Sequence, residues 1–414
     1  MDDPGNGPAE KPTAGPGPAV ANAVANAGPG AGPLVGPGVG PLVGPGVGPL
    51  LDKFRDVTRI ALLRGGGLGD LMFALPAVSA LKAAYPGSTV TLLGTPLQDA
   101  LVAGTLTPLD DVLVLPFAEG VRPGQEEPAA VERFFNTARE RRFDLAVQLH
   151  GGGRYSNPFL LRLEARHTVG SATPDAVPLE RTLPYTYYQH EPSRALEVAG
   201  LAGAAPVLLE ARLNPRARFV AQLPAALGTA LPPGDTPLLV IHPGASDPRR
   251  RWPAEAFGAV ARAVADDGGR VLVIGDAGEK ALADAVVSAA VGRSTGNGTG
   301  PVINVAGLLE LGELAALLAK ADAVLANDSG PRHLAQALGT PTVGIYWAGN
   351  ALTSGPLGRG KHRIHLSWVT RCRACGADVT QVGWTAPRCP HNDSLMEGIG
   401  SEAVTSDVRS LLAQ

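Results

Sequence analysis

Arg59-Ile-Ala-Leu-Leu-Arg-Gly-Gly-Gly-Leu-Gly-Asp70 places a short apolar run, a glycine loop and an acid in immediate succession. The run is aliphatic enough for a buried strand. After Asp70, the residues Leu71, Leu75, Val78 and Leu81 recur at helical spacing, and Pro86-Gly87 stops the helix. A strand handing over through glycines to a helix is the opening of an α/β unit. Strands are expected next at 89–93, 111–115 and 144–149, with a polar helix at 129–141. Strands alternating with helices imply a mostly parallel sheet covered on both faces.

Further out, a helix is expected at 214–228. Residues 229–237, with three prolines and a glycine, read as a linker. The alternation then starts again. Strands are expected at 238–242, 270–275, 302–304, 323–327 and 342–346. Helices are expected at 253–266, 279–291, 311–320 and 331–338. Pro253 suits a first helical turn and Gly339 a helix end. Two successive α/β units imply two facing doubly wound domains, at 56–230 and 236–414. Ligands of such sheets bind at the carboxyl ends of the strands, here in the cleft between the domains.

Residues 1–55 stand apart. Val-Gly-Pro-Gly-Val-Gly-Pro-Leu recurs between Val35 and Leu50. Proline removes backbone donors and glycine raises the entropy cost of ordering, so a disordered Pro/Gly/Ala-rich tail is expected. Ordered sequence is expected to begin near Val57.

Bulk properties exclude several classes. The net charge is −3 and no basic run exists, which argues against a nucleic-acid partner. No apolar stretch of about 18 residues marks a spanning helix. The N-terminus lacks the pattern of a signal peptide. Three cysteines are too few, and odd in number, for a secreted disulfide framework. The cytoplasm is the expected compartment.

Four segments carry candidate chemistry. In Arg64-Gly-Gly-Gly-Leu-Gly-Asp70 the glycines, Gly67 among them, let backbone approach a ligand. A dinucleotide fingerprint would need glycine or alanine where Asp70 stands, and a carboxylate there repels a pyrophosphate, so NAD is disfavoured. Asp70 suits a general base, or else merely caps the helix. His242-Pro-Gly-Ala-Ser-Asp-Pro-Arg-Arg-Arg-Trp-Pro253 brings Ser246 and three arginines to a helix start, a candidate phosphate cradle. The alternative is a solvated basic loop with Trp252 as a packing anchor. In Ala326-Asn-Asp-Ser-Gly-Pro-Arg-His-Leu334, backbone N–H groups of Ser329 and Gly330 and the Ser329 hydroxyl are candidate phosphate donors, and His333 lies one turn on. Otherwise Asp328 or Ser329 caps a helix and His333 is structural. Cys372-x-x-Cys375 with Cys389-x-His391 has the ligand types for a structural Zn²⁺, set against reduced thiols in a surface loop. His150, Arg154 and Asn157, after the fourth strand, are candidates for an acceptor side, or parts of a flexible connection.

Together these segments resemble the ADP-heptose:lipopolysaccharide heptosyltransferases, glycosyltransferase family 9, over nearly everything from Val57 onward. Leu68-Gly-Asp70 with the helix ending Tyr85-Pro-Gly87 carries the likeness. So do His242-Pro-Gly-Ala with Arg251-Trp-Pro253, and Asn327-Asp-Ser-Gly-Pro-Arg-His333 followed by Ala337-Leu-Gly-Thr-Pro341. Glu191 to Gly200 also matches. The resemblance implies a GT-B architecture: two Rossmann-like domains, donor on the C-terminal one and acceptor on the N-terminal one. It implies an inverting, metal-independent transfer from a nucleotide-diphosphate sugar to a glycan or lipid-linked hydroxyl, with possible contact at the inner membrane face. It makes Asp70 the base, Arg251 a cation at the diphosphate, Asp328 a neighbour of the sugar, and Ser329 and Gly330 neighbours of the phosphates. Relatives often carry lysine at Arg251, hydroxyl residues at Gly65–Gly67, and a further cysteine at Ser394. The competing readings on this architecture are a sugar-nucleotide epimerase or hydrolase, and a non-catalytic binder of sugar nucleotides.

Overall fold

The computed structural model describes residues 48–230, 236–291, 301–358, 360–381 and 387–413. Nearly all of the Gly/Pro leader and the centre of the expected linker lie outside them. The two sheets expected from the alternation are present, each with six parallel strands. The first runs Asp111–Val114, Thr89–Gly94, Arg59–Leu63, Leu145–Gln148, His167–Ala172, Arg181–Pro184. The second runs Val302–Asn304, Arg270–Val273, Leu238–His242, Ala323–Asn327, Thr342–Trp347, His362–Ser367.

Both sheets have the same order. The chain leaves its first strand in one direction, then returns to the other side of it. That reversal opens a crevice at the carboxyl end of the first strand. Gly65–Asp70 and Pro243–Arg251 therefore leave their sheets where a ligand is expected. Leu238–His242 is buried throughout, as a central strand covered on both faces requires.

Helix Leu68–Ala84 buries all four residues read at helical spacing, Leu71, Leu75, Val78 and Leu81. Each is worth about 1.5–3 kcal/mol of transfer free energy when fully enclosed. The helix also buries Leu68 and Met72, because beyond its own sheet it meets helix Gly330–Ala337 of the second lobe. Helices Pro96–Gly104 and Ala217–Leu227 likewise pack on Leu311–Lys320. Apolar side chains thus form one continuous cluster across the lobes, from Leu71 to Leu334. Backbone bonds from Leu213 N–H to Ala337 O (2.9 Å) and Arg216 N–H to Gly104 O (3.0 Å) tie the crossing segment down.

Packed chain begins somewhat before Val57. Leu51 N–H donates to Gly200 O at 3.0 Å, and buried Phe54 stacks on His167 with ring centroids 4.1 Å apart. Among the described residues no helix is long and apolar enough to cross a membrane.

Candidate active site

The first glycine loop is built around Asp70. Its Oδ2 accepts the Gly67 N–H at 2.8 Å, and its Oδ1 accepts from Arg64 at 2.7 Å. The helix-cap reading and an exposed reactive carboxylate are therefore compatible, since the Asp70 side chain remains 40% exposed. Glycine is required at position 66. Its φ is +96°, and a Cβ there would lie 2.3 Å from Asp70 Oδ2. Arg64, largely buried, also bonds Glu191 at 3.1 Å and the Leu149 carbonyl. Glu191 opens helix Glu191–Leu201 and accepts from Arg194 as well.

The acceptor-side candidates diverge. His150 lies beneath the loop, where its Nδ1 accepts the Gly65 N–H at 3.1 Å. Burial, reinforced by the Arg64 cation, pushes its imidazole pKa down. Asn157 is fully buried and donates to Ser171 O and Val177 O, which staples its own loop. Arg154 is exposed beside Asp175 at 3.6 Å, over the Tyr155 ring. None of these three lines the main cleft, whereas Gly67 and Asp70 do.

On the opposite wall, Asp247 caps the turn Pro248–Arg250. Burial works to raise its carboxyl, but hydrogen bonds from Arg249 override this and hold it at about 2. Arg250 reaches Asp328 at 3.1 Å and Ser246 Oγ at 2.7 Å. Arg251 is anchored through Nε on Ala245 O at 2.9 Å, and its side chain lines the cleft. Trp252 is the expected packing anchor, 1% exposed, and its N–H donates to Asn327 Oδ1 at 3.0 Å. Asn327 returns a bond to Pro243 O at 2.7 Å. The two strand-end loops are thereby fastened together.

Asp328 is saturated by protein donors. Oδ1 accepts from His333 Nε2 (2.8 Å) and Ser354 Oγ (3.0 Å), and Oδ2 from Arg250. Burial would raise this carboxyl, yet these donors hold it below the usual range. His333 Nδ1 faces Arg332 at 3.3 Å. A guanidinium only donates, so Nδ1 accepts and the ring proton sits on Nε2. Burial also pushes the His333 pKa down, which favours this neutral form. His242 joins Ser329 Oγ (3.0 Å) to Glu279 (3.2 Å).

The lobes enclose a cleft of about 800 Å³, the size of a small-molecule site. Gly67 and Asp70 line one side. Ser246, Arg250, Arg251, Asp328, Ser329, Gly330 and His333 line the other. The walls can touch because two glycines meet them. A Cβ on Gly330 would lie 2.9 Å from Leu68 Cβ, and one on Gly69 would lie 3.2 Å from the His333 ring. Cationic groups on one wall and a carboxylate on the other fit an anionic leaving group and a hydroxyl nucleophile. Glu191, His242, Glu279 and Ser354 also line the cleft. Sequence reasoning assigned them no role. Glu279 had a usable signal, since it too follows a strand and opens a helix at the carboxyl edge of the sheet.

The Cys372, Cys375, Cys389 and His391 ligand atoms lie within 4.8 Å of one another. Gly376, at φ +72°, closes a tight turn in which its N–H donates to Cys372 O and Cys372 N–H donates to Ala377 O, both at 2.8 Å. Among the described residues, His391 Nδ1 is enclosed without a hydrogen-bond partner. Such an atom asks for a ligand, and three sulfurs with an imidazole could hold a metal ion.

Comparison with known proteins follows the same lines. Residues 131–379 match the profile of glycosyltransferase family 9 (heptosyltransferase). Lipopolysaccharide heptosyltransferase 2 of Salmonella typhimurium is 23% identical over 86% of this chain and 99% of that protein. Lipopolysaccharide core heptosyltransferase OpsX of Haemophilus influenzae is 32% identical over 108 residues, which span 26% of this chain and only 30% of that protein. Among solved structures, the ADP-heptose lipopolysaccharide heptosyltransferase II of E. coli superposes with a TM-score of 0.65 at 19% identity, over 86% of this chain and 99% of that one. At that identity the likeness shows the fold, GT-B.

Proposed function

The chain belongs to glycosyltransferase family 9, and from that premise we propose that it is an inverting enzyme that moves a heptose from ADP-heptose to a hydroxyl of a glycan or lipid-linked acceptor. The observation that carries this reading is the placement of Asp70, a half-exposed carboxylate on the first-lobe wall of a cleft whose opposite wall is lined by Arg250 and Arg251.

Asp70 takes the proton from the acceptor hydroxyl as its oxygen attacks the anomeric carbon. The bond from that carbon to the diphosphate breaks on the far side, and the nucleoside diphosphate leaves with the electron pair. Arg251, with the N–H groups at the start of helix Gly330–Ala337, offsets the growing charge, a task a catalytic metal performs elsewhere. Asp328 and His333 hold the loop that carries Ser329 and Gly330. Gly67 shapes the base's surroundings. The first lobe, to about residue 230, takes the acceptor, and the second, from about 236, takes the donor. Catalysis requires no metal. The thiol cluster holds a structural zinc. Transfer to a lipopolysaccharide-type acceptor places the enzyme in the cytoplasm at the inner membrane face.

Single-turnover transfer from ADP-heptose tests this. Asp70→Asn should lose at least about a hundredfold in the chemical step while still binding ADP. Unchanged chemistry removes Asp70 as base. Fast release of free sugar without an acceptor would favour a hydrolase, and donor binding without turnover a binding protein.

A further inference from the structure

We propose that a metal ion at Cys372, Cys375, Cys389 and His391 is the clamp that holds the arginine loop 247–252 in its donor-binding position. The inference rests on the donor reading of that loop. The ligand-bearing segment and the loop are fastened together at several points. Leu395 N–H donates to Arg249 O at 2.8 Å, and Ser394 Oγ donates to Arg251 O. Arg388, the residue before Cys389, reaches Asp247 Oδ1 at 3.3 Å. Trp252 Nε1 donates to Ile399 O at 3.0 Å. Trp252, Cys372, Leu395 and Met396 share one apolar cluster.

Arg249 completes the connection. Its Nε and Nη2 are bound to Asp247, but its Nη1 is enclosed without a hydrogen-bond partner among the described residues. Metal binding makes the ligand sulfurs permanent anions, which adds to the counter-charge that Asp247 already supplies to Arg249. His391 Nδ1, likewise enclosed and unpartnered, supplies the independent sign that a ligand belongs here. Ser394 shows the division of labour. Three thiols and an imidazole would supply four ligands to the ion, and the hydroxyl at 394 bonds the loop instead.

The experiment uses the full chain. Metal content is measured on protein as isolated, and Zn²⁺ is titrated into protein stripped with a chelator. Hydrogen exchange of 247–252 and 388–396, and ADP binding, are then compared with and without zinc. The expected result is one bound ion per chain, faster exchange in both segments without it, and ADP weakened by about tenfold, the equivalent of one lost hydrogen bond of about 1.4 kcal/mol. Ser394→Ala should keep its zinc yet weaken ADP in the same direction, which covers the case in which stripped protein unfolds. Failure of Zn²⁺ to bind overturns the clamp. So does zinc binding with loop exchange and ADP affinity unchanged by both zinc removal and Ser394→Ala. If the zinc-loaded wild-type chain binds no nucleoside diphosphate, the donor reading has failed, and hydrogen exchange alone then decides whether metal and loop are coupled.

Discussion

His333 Nε2 donates to Asp328 Oδ1 at 2.8 Å, and both side chains are almost fully enclosed. The pair fixes the turn that presents Ser329 and Gly330 to the cleft. It also makes stability depend on pH with a definite sign. Both groups have folded-state pKa values below their unfolded ones of about 6.5 and 3.9. Their contribution is therefore complete above the unfolded values and lost as pH falls through the folded ones. The melting temperature should decline from pH 7.5 to 5, driven by His333. Burial holds His362 at about 4, so it adds to the same slope. The diagnostic is the difference between wild type and His333→Gln, which keeps a donor for Asp328 and does not titrate. The variant should show the shallower decline in calorimetric scans, and an identical slope would show that His333 is not the titrating group.

Removing Arg64 should be costly and partly reversible. Its guanidinium stands between Asp70 and Glu191, with its own side chain only 10% exposed. Arg64→Met leaves the partly enclosed Glu191 facing Asp70 without that cation, a loss of roughly 1–2 kcal/mol because Asp70 stays partly solvated and Glu191 keeps Arg194. Glu191→Gln in the same chain should recover part of it. Denaturant unfolding of the two singles and the double reads the coupling, and strict additivity would mean that the contacts are energetically idle.

Gly330→Ala should push the lobes apart. The added methyl would sit 2.9 Å from Leu68 Cβ, and overpacking of this kind costs about 1–3 kcal/mol. Leu68→Ala removes the obstacle, so the double variant should regain stability relative to additive expectation. Small-angle scattering of Gly330→Ala should show a larger radius of gyration. An unchanged radius and melting temperature would mean that the lobes already give way at this point.

Gly66→Ala should impair catalysis more than folding. Alanine at φ +96° carries backbone strain of about 1–3 kcal/mol. Its Cβ would also displace the Asp70 carboxylate, so kcat should fall while ADP affinity holds. Equal loss of both would place the loop's role in donor binding.

Apolar periodicity made much of this protein legible before any fold was known. Leu71, Leu75, Val78 and Leu81 face the core because helical spacing leaves no other arrangement that buries them. Strand, glycine loop and helix recur at Arg59–Asp70, Leu238–Pro253 and Ala323–Leu334, and that order determines two parallel sheets with their loops at one edge. These facts are local, and local chemistry settles them. Asp70 and Arg251 were singled out as candidates from the same loops, and both line the cleft. Beyond Tyr346 the pattern weakened. Strand His362–Ser367 is only half-buried, and helix Ser401–Leu412 follows a long stretch without regular structure, so neither announced itself.

Other features depended on residues far apart in sequence. Nothing near Arg64 indicates that Glu191 completes its charge pairing, or that Asp328 is occupied by His333, Ser354 and Arg250. His150, Arg154 and Asn157 follow a strand just as Asp70 does, yet packing turns one under a loop, one to solvent and one into the interior. A residue's type limits the bonds it can make. Which bonds it does make is set by the neighbours that folding delivers, because burial removes water as the alternative partner. For the same reason the thiols alone indicated a ligand set, whereas only the tertiary structure set that ligand set against the arginine loop.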